Sequence, residues 1–421
     1  MRPFPGVPDT LSTLTGATDG LADVIIATRP ETHVHSAIGP NPKIVPVLVG
    51  PFPVFQREAM TTTGQNVAAI PRPAHGGVSA TNAKLSTMLD QRGIRHERID
   101  LSSDSRKRTV FHHLIRLRRT LKGMVDILFA PGPAVRHYDI SLDGGPGLIH
   151  NILIILAIRL RGAPFLLYHH STNYVLADKF LMTLLVTVAG KSPTHMACSR
   201  RMFELYRARY GVPDKFLLLS NAAWIAPSPL PQLPSDPGKI TLGYLGSLSV
   251  DKGSLRALDT FLEIRRRGGS ARIVIAGGGV TPEVRQRIDD AQRLHGEDMT
   301  YLGAIADEEK WRLFSRIDYF LFPTLYPHET QSSVAPEAMS AGVPVVAYDH
   351  RFVGELIGAE GGTLIPTSAP FAQAAADWIM TGDSIALREE RRHRVRAHYD
   401  RIFAEARMQL ETLIATLVAP A

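Results

Sequence analysis

Glu329 and Glu337 stand eight positions apart, separated by Thr-Gln-Ser-Ser-Val-Ala-Pro. The residues between them are small or polar, and Glu337 opens an Ala-Met helical turn that stops at Gly342. Val343-Pro-Val-Val-Ala347 after the turn and Asp318-Tyr-Phe-Leu-Phe-Pro323 before it read as short buried strands. The order is therefore strand, loop with Glu329, helix with Glu337, strand. Backbone N–H groups of the 331–334 loop, those of Ser332, Ser333 and Val334 among them, stand at the helix N-terminus. There they and the helix dipole favour a phosphate. Glu329 faces the reacting end of such a ligand, and Glu337, one turn in, can accept hydrogen bonds from a ribose diol. The same pattern also reads as a capping carboxylate and a surface carboxylate on any α/β unit.

The elements around this segment repeat the alternation. Ile240-Thr-Leu-Gly-Tyr-Leu-Gly246-Ser247 reads as strand and turn, Lys252-Gly253 follows, and 255–267 is helical. Ala271-Arg-Ile-Val-Ile-Ala-Gly277-Gly-Gly279 is a strand and glycine turn, but Pro282 replaces the third glycine of a dinucleotide fingerprint, which argues against an NAD enzyme. Residues 226–238 hold five prolines and form a stiff linker. Ahead of it, 44–49 reads as a first buried strand with Pro46 against it, followed by His75-Gly76-Gly77, a helix from near Ser79 to Gly93, and a strand near 95–101. Asp126-Ile-Leu-Phe-Ala130 reads as the next strand and 148–160 as a core helix, apolar nearly all round. A strand at 164–168 leads into His169-His170, at the strand end where open α/β sheets bind ligands.

Segment 106–122 is strongly basic, with apolar residues at 110, 114, 117 and 121 forming one helical stripe. Two readings stand: a surface for an anionic membrane or lipid diphosphate, or a domain helix with a solvated basic face.

At 421 residues the chain suits two domains, and 44% hydrophobic with 21% charged residues is ordinary for a globular protein. The single Cys198 excludes an internal disulfide and suits a reducing compartment. The N-terminal residues lack a secretory pattern, and 148–160 is too short to span a bilayer, so a cytoplasmic location is expected. A net charge of +7 suggests a polyanionic partner. Without zinc-finger spacing or aromatics interleaved with basic residues, no nucleic-acid partner is expected. Despite 16 histidines, no carboxylate or cysteine stands at ligand spacing beside His169-His170, and His-Glu-x-x-His is absent, so no metal is expected.

Glu329, seven residues, Glu337-Ala-Met, then Gly342-x-Pro344-Val-Val resembles the motif of retaining, nucleotide-sugar-dependent glycosyltransferases of the family-4 type. The resemblance implies an α/β fold of two Rossmann-like domains facing across a cleft (GT-B), with a C-terminal helix crossing back to the first. The matching boundaries are an extension at 1–42, an acceptor-side domain at 43–225, the linker, a donor domain at 239–392, and the helix at 393–421. It implies that Glu329 contacts the donor sugar and Glu337 the ribose, and that Gly76-Gly77 lets the backbone approach the diphosphate. A histidine, His169 by its distance from the strand or else His170, lies near the anomeric centre. In the Gly246-Ser247…Lys252 element, lysine grips the diphosphate. Three departures accompany this: Gln331-Ser332-Ser333 replaces Phe-Gly and its following residue, Ala222-Ala223 replaces Gly-Val, and Ser247 replaces an arginine. The implied function is metal-free transfer of a sugar from a nucleotide diphosphate to a sugar or lipid-linked acceptor, as in surface polysaccharide or glycolipid assembly, peripheral on the inner membrane face. An epimerase of the same architecture and a non-catalytic nucleotide-sugar-binding relative are the rival readings.

Overall fold

The computed structural model describes residues 44–52, 77–102, 110–130, 135–212, 215–381 and 383–419. The expected extension at 1–42, Gly76, and the cations Arg106, Lys107 and Arg108 lie outside the described residues.

Short runs of β-branched and aromatic residues, apolar on both faces, need helices on both sides, and parallel sheets provide them. The first sheet contains β1 (Ile44–Gly50), β2 (Glu97–Asp100), β3 (Val135–Leu142), β4 (Phe165–His169), β5 (Thr194–Ala197) and β6 (Phe216–Leu218), all parallel in the order β2-β1-β3-β4-β5-β6. The second contains β7 (Ile240–Leu245), β8 (Ala271–Ala276), β9 (Met299–Tyr301), β10 (Tyr319–Phe322), β11 (Val345–Tyr348) and β12 (Gly362–Ile365), in the order β12-β11-β10-β7-β8-β9. Pro46 is tolerated because β2 pairs with β1 only from Val47 onward, leaving one side of the strand start without a ladder.

Two expectations are corrected. Asp126–Ala130 is not a strand: helix Val110–Leu128 continues through it, because Thr120, Gly123 and Ile127 form one inward stripe at helical spacing. The strand that belongs there is β3, hidden in the sequence by buried Arg136, His137 and Asp139. The second correction concerns 148–160. Helix Leu148–Arg161 buries Leu148, Ile154, Ile155 and Ile158 but leaves Ile149, Leu156 and Leu160 exposed. In helix Val110–Leu128 the stripe residues Leu114, Leu117 and Leu121 are likewise exposed.

Asp139 has one carboxylate oxygen without a hydrogen-bond partner, and burial pushes the group up to about 7. Between about pH 4 and pH 7 the folded protein therefore keeps a proton that the unfolded chain releases, and stability falls as pH rises through that window. Asp139→Asn is expected to match wild type near pH 3, below the window, and to exceed it at pH 8 by on the order of a few kcal/mol in urea denaturation. Equal differences at both pH values would contradict this.

The C-terminal helix is one continuous element, Ile385–Val418. Its first turns are held to the second domain by Arg388, which reaches the Asp383 carboxylate at 2.6 Å, and by Arg392, 2.9 Å from buried Asp318. Farther along, Leu410, Leu413 and Leu417 are buried, Gln409 accepts from the Ser220 backbone N–H, and Glu411 pairs with Arg92. The helix thus crosses back to the first domain. The 226–238 segment is laid on the second domain, with Gln232 donating to the Phe314 carbonyl and the Leu233 N–H to that of Ser315.

Candidate active site

In a parallel sheet, ligands collect at the carboxyl ends of strands where the strand order reverses. That point in the second sheet lies between β7 and β10, neighbours in space but not in sequence. The segment after β7 carries Gly246, Ser247 and Lys252, and the segment after β10 carries Thr324, Tyr326 and Glu329. Close backbone approach fixes their spacing. Gly253 has φ +85°, and a Cβ there would run into the Pro323 carbonyl. Gly277 faces the Gly246 carbonyl in the same way. The glycine after Lys252 is thus required by packing, and it delivers the lysine beside the loop that follows β10.

A cavity of about 490 Å³ opens at this point. Its lining includes Gly246, Ser247, Lys252, Glu329, Ser332, Ser333, Val334 and Glu337 from the second domain, with His169 and His170 from the first. Gly77 instead begins helix Gly77–Gln91, whose Val78 and Thr81 reach the cavity. Lys252 Nζ lies 2.9 Å from Glu329 Oε2 and 4.2 Å from the centre of the Tyr326 ring. Thr324 Oγ1 donates to the same carboxylate oxygen at 3.2 Å, so the buried Glu329 is compensated from two sides. Lys310 Nζ donates to Glu337 Oε1 at 2.7 Å. The Val334 N–H is taken by Ser332 Oγ at 3.2 Å, which leaves the Ser332 and Ser333 amides as the loop's donors toward a ligand.

The paired histidines separate by one residue into different environments. The ring of His169 turns into the core, with Nε2 3.1 Å from His195 Nδ1 and Nδ1 3.3 Å from the Tyr174 hydroxyl. His170 stacks at a tilt on Tyr168, and burial pushes its pKa down to about 3, so it is neutral near pH 7. The Ser141 hydroxyl donates to Asn82 Oδ1 at 2.7 Å, so it accepts from His170 Nε2 at 3.2 Å and sets the proton on that nitrogen. His170 also borders a second cavity of about 630 Å³ in the first domain, which shares Val78 and His328 with the first cavity. His112, His113, Arg116 and Asp143 line it, with Arg116 and Asp143 paired at 2.7 Å. The geometry places His170 rather than His169 at the junction of the two cavities.

The sequence reading missed Lys310, Tyr326, His328 and the partner of Gln331. Adjacency to Glu329 was an available signal for His328; Lys310 comes from a separate helix, Asp307–Phe314, and left none. Gln331 Oε1 accepts from the Ser220 hydroxyl at 3.2 Å and the Asn221 N–H at 3.1 Å, so this glutamine docks the loop onto the end of the first domain. Ser247 is exposed at the cavity edge, with Lys252 the one cation lining the cavity among the described residues. Ser247→Arg is therefore expected to strengthen nucleoside diphosphate binding by about 1.5–3 kcal/mol, measured by calorimetry. Unchanged or lost affinity would show that the space is not open to a guanidinium.

The two facing α/β units and the crossing helix define a GT-B fold, and solved structures agree. Anabaena HepE in complex with UDP superposes with a TM-score of 0.61 at 14% identity, covering 89% of this chain and 100% of that one. Sucrose-phosphate synthase from Thermosynechococcus elongatus gives 0.58 at 17% identity, covering 89% and 99%. Residues 239–380 match the family described as Glycosyl transferases group 1. A GDP-mannose-dependent alpha-(1-6)-phosphatidylinositol dimannoside mannosyltransferase of Mycobacterium tuberculosis is 32% identical over 127 residues, 30% of this chain and 32% of the relative. The alpha-monoglucosyldiacylglycerol synthase of Streptococcus pneumoniae is 27% identical over 121 residues, 28% and 26% of the two chains. These matches span about a third of the relatives' length or less.

Proposed function

We propose that this chain is a retaining glycosyltransferase that moves a sugar from a nucleoside diphosphate donor to an acceptor hydroxyl without a metal. The observation that carries this reading is the convergence of Lys252, Glu329 and Glu337 in one cavity at the strand-order reversal, with His170 entering from the opposite domain. Glu337 takes the ribose diol and Lys252 the diphosphate. The difficult step is departure of the nucleoside diphosphate, whose growing charge needs donors already in place. Lys252 and the Ser332 and Ser333 amides supply them, and Lys252 exchanges its contact with Glu329 for the phosphate. Glu329 then orients sugar hydroxyls and stabilises positive charge at the anomeric carbon. The acceptor hydroxyl attacks the anomeric carbon from the face the diphosphate leaves and gives its proton to the departing phosphate oxygen, while neutral His170 orients the sugar beside it. The first-domain cavity holds the acceptor, a sugar or lipid-linked sugar of glycolipid or polysaccharide assembly, at the cytoplasmic face of a membrane. Relatives named for glycolipid synthesis support that choice.

Thermal shift with UDP, GDP and their sugars tests the donor assignment, since a ligand at 100 times its Kd stabilises by about 2.7 kcal/mol. NMR of the product then reads the anomer. An inverted product, or activity abolished by chelator and restored by a divalent cation, contradicts the corresponding part of the proposal. An epimerised sugar formed without acceptor identifies an epimerase, and tight binding without turnover identifies a binding protein.

A further inference from the structure

Helices Val110–Leu128, Leu148–Arg161 and Phe180–Ala189 pack side by side in the first domain. A helix covering a sheet buries the stripe that faces the sheet and ordinarily presents polar residues on the other side. These three bury an inward stripe but also expose large apolar side chains on the opposite side. In the first, Phe111, Leu114, Leu121 and Val125 are each at least half exposed, and Phe129 follows directly. The second exposes Ile149, Leu156 and Leu160, and the third exposes Leu184 and Phe180, the latter by 80%. Elsewhere among the described residues, large exposed apolar side chains such as Leu205, Leu294 and Met408 are scattered along the chain. Scattered ones are normal on a soluble surface, whereas a contiguous patch marks a partner.

The charges on the same elements give the partner's sign. Arg118 and Lys122 stand among the leucines of the first helix, Arg159 is exposed on the second, and Lys179 and Lys191 flank the third. Of the nearby acids, Asp126 offsets Lys122 and Asp178 pairs with Arg209 of another helix, so Arg118, Arg159, Lys179 and Lys191 leave the face positive. A second copy docked face to face would set these cations against their own kind. An anionic lipid surface satisfies both features. Apolar side chains enter the boundary between headgroups and acyl chains, while lysine and arginine remain among the phosphates. No described helix is long and apolar enough to cross a membrane, so such contact is peripheral.

We propose that this three-helix face docks on an anionic lipid bilayer. It extends well beyond the basic segment visible in the sequence, because two of the three helices carry mainly apolar residues and declare themselves through exposure alone. The first helix also contributes His112, His113 and Arg116 to the first-domain cavity, so docking brings lipid headgroups to the rim of that cavity.

Co-sedimentation of the full chain with phosphatidylglycerol-containing and pure phosphatidylcholine vesicles, at low and high salt, tests the proposal. Binding is expected to the anionic vesicles, weakening with salt. Leu160→Glu and Phe180→Glu, both on exposed positions, are each expected to reduce it about tenfold while leaving the thermal midpoint unchanged. Arg118→Glu with Lys122→Glu is expected to reduce it at low salt. Equal binding to both vesicle types overturns the proposal. So does retained binding in Leu160→Glu and Phe180→Glu, which would confine the contact to one basic helix. A dimer dissolved by Phe180→Glu, with no vesicle binding, would assign the face to a second copy instead. Vesicle binding by a protein inactive on every donor would leave this inference standing and the transferase reading refuted.

Discussion

Lys252→Ala is expected to lower turnover about a hundred- to a thousandfold at saturating donor, with little change in folding. The lysine is the one cation among the described residues that lines the cavity at the strand-order reversal, and its position is set by the Gly253 turn against Pro323. Removing it withdraws charge from the leaving group at the moment charge develops, which acts on kcat more than on ground-state binding. It also takes the cation from Glu329, leaving Thr324 as that carboxylate's remaining side-chain partner. Lys252→Arg separates the two effects, because it restores charge near Glu329 with a different reach and geometry. Turnover near wild type in a folded Lys252→Ala protein would remove the lysine from the chemistry.

Glu337→Ala is expected to weaken binding of UDP and GDP alike by about 1.5–3 kcal/mol, roughly ten- to a hundredfold in Kd. A ribose diol is common to all such nucleotides, so the loss should not depend on the sugar attached. The variant also strands Lys310, now 2.7 Å from the carboxylate, and Glu337→Gln controls for that by keeping an acceptor while removing the charge. If free nucleotide binds normally and only sugar discrimination changes, the roles given to Glu329 and Glu337 are reversed.

What the sequence disclosed was whatever is decided locally. Lys252-Gly253, the Gly277 turn and the helix after Ser333 each depend on a few consecutive residues, so the second domain was readable nearly element by element. The crossing helix was visible too, because Val395, Tyr399, Ala406, Leu410 and Leu413 recur at helical spacing. β3 was not, since its burial of Arg136, His137 and Asp139 breaks the apolar run by which strands are recognised. The difference in environment between His169 and His170 was not legible for a related reason. At a strand end one residue reverses the side chain's face, and only the neighbouring His195 and Tyr174 decide which ring turns inward. Lys310 and the partners of Gln331 are tertiary, from elements far apart in sequence, and carry no spacing that announces them.

Gln331 makes the loop after β10 and the turn that ends the first domain a single mechanical unit. Its side chain holds Ser220 and Asn221, while two residues away in the chain Glu329 faces the cavity. The loop cannot shift to meet a ligand without moving the turn or giving up those bonds. Linkage would make such a coupling run both ways: a ligand that favours one position of the loop would bind more tightly, by the same factor, when the turn is held in the matching position. A ligand in the first domain that moved Ser220 and Asn221 would therefore also move the loop that carries Glu329.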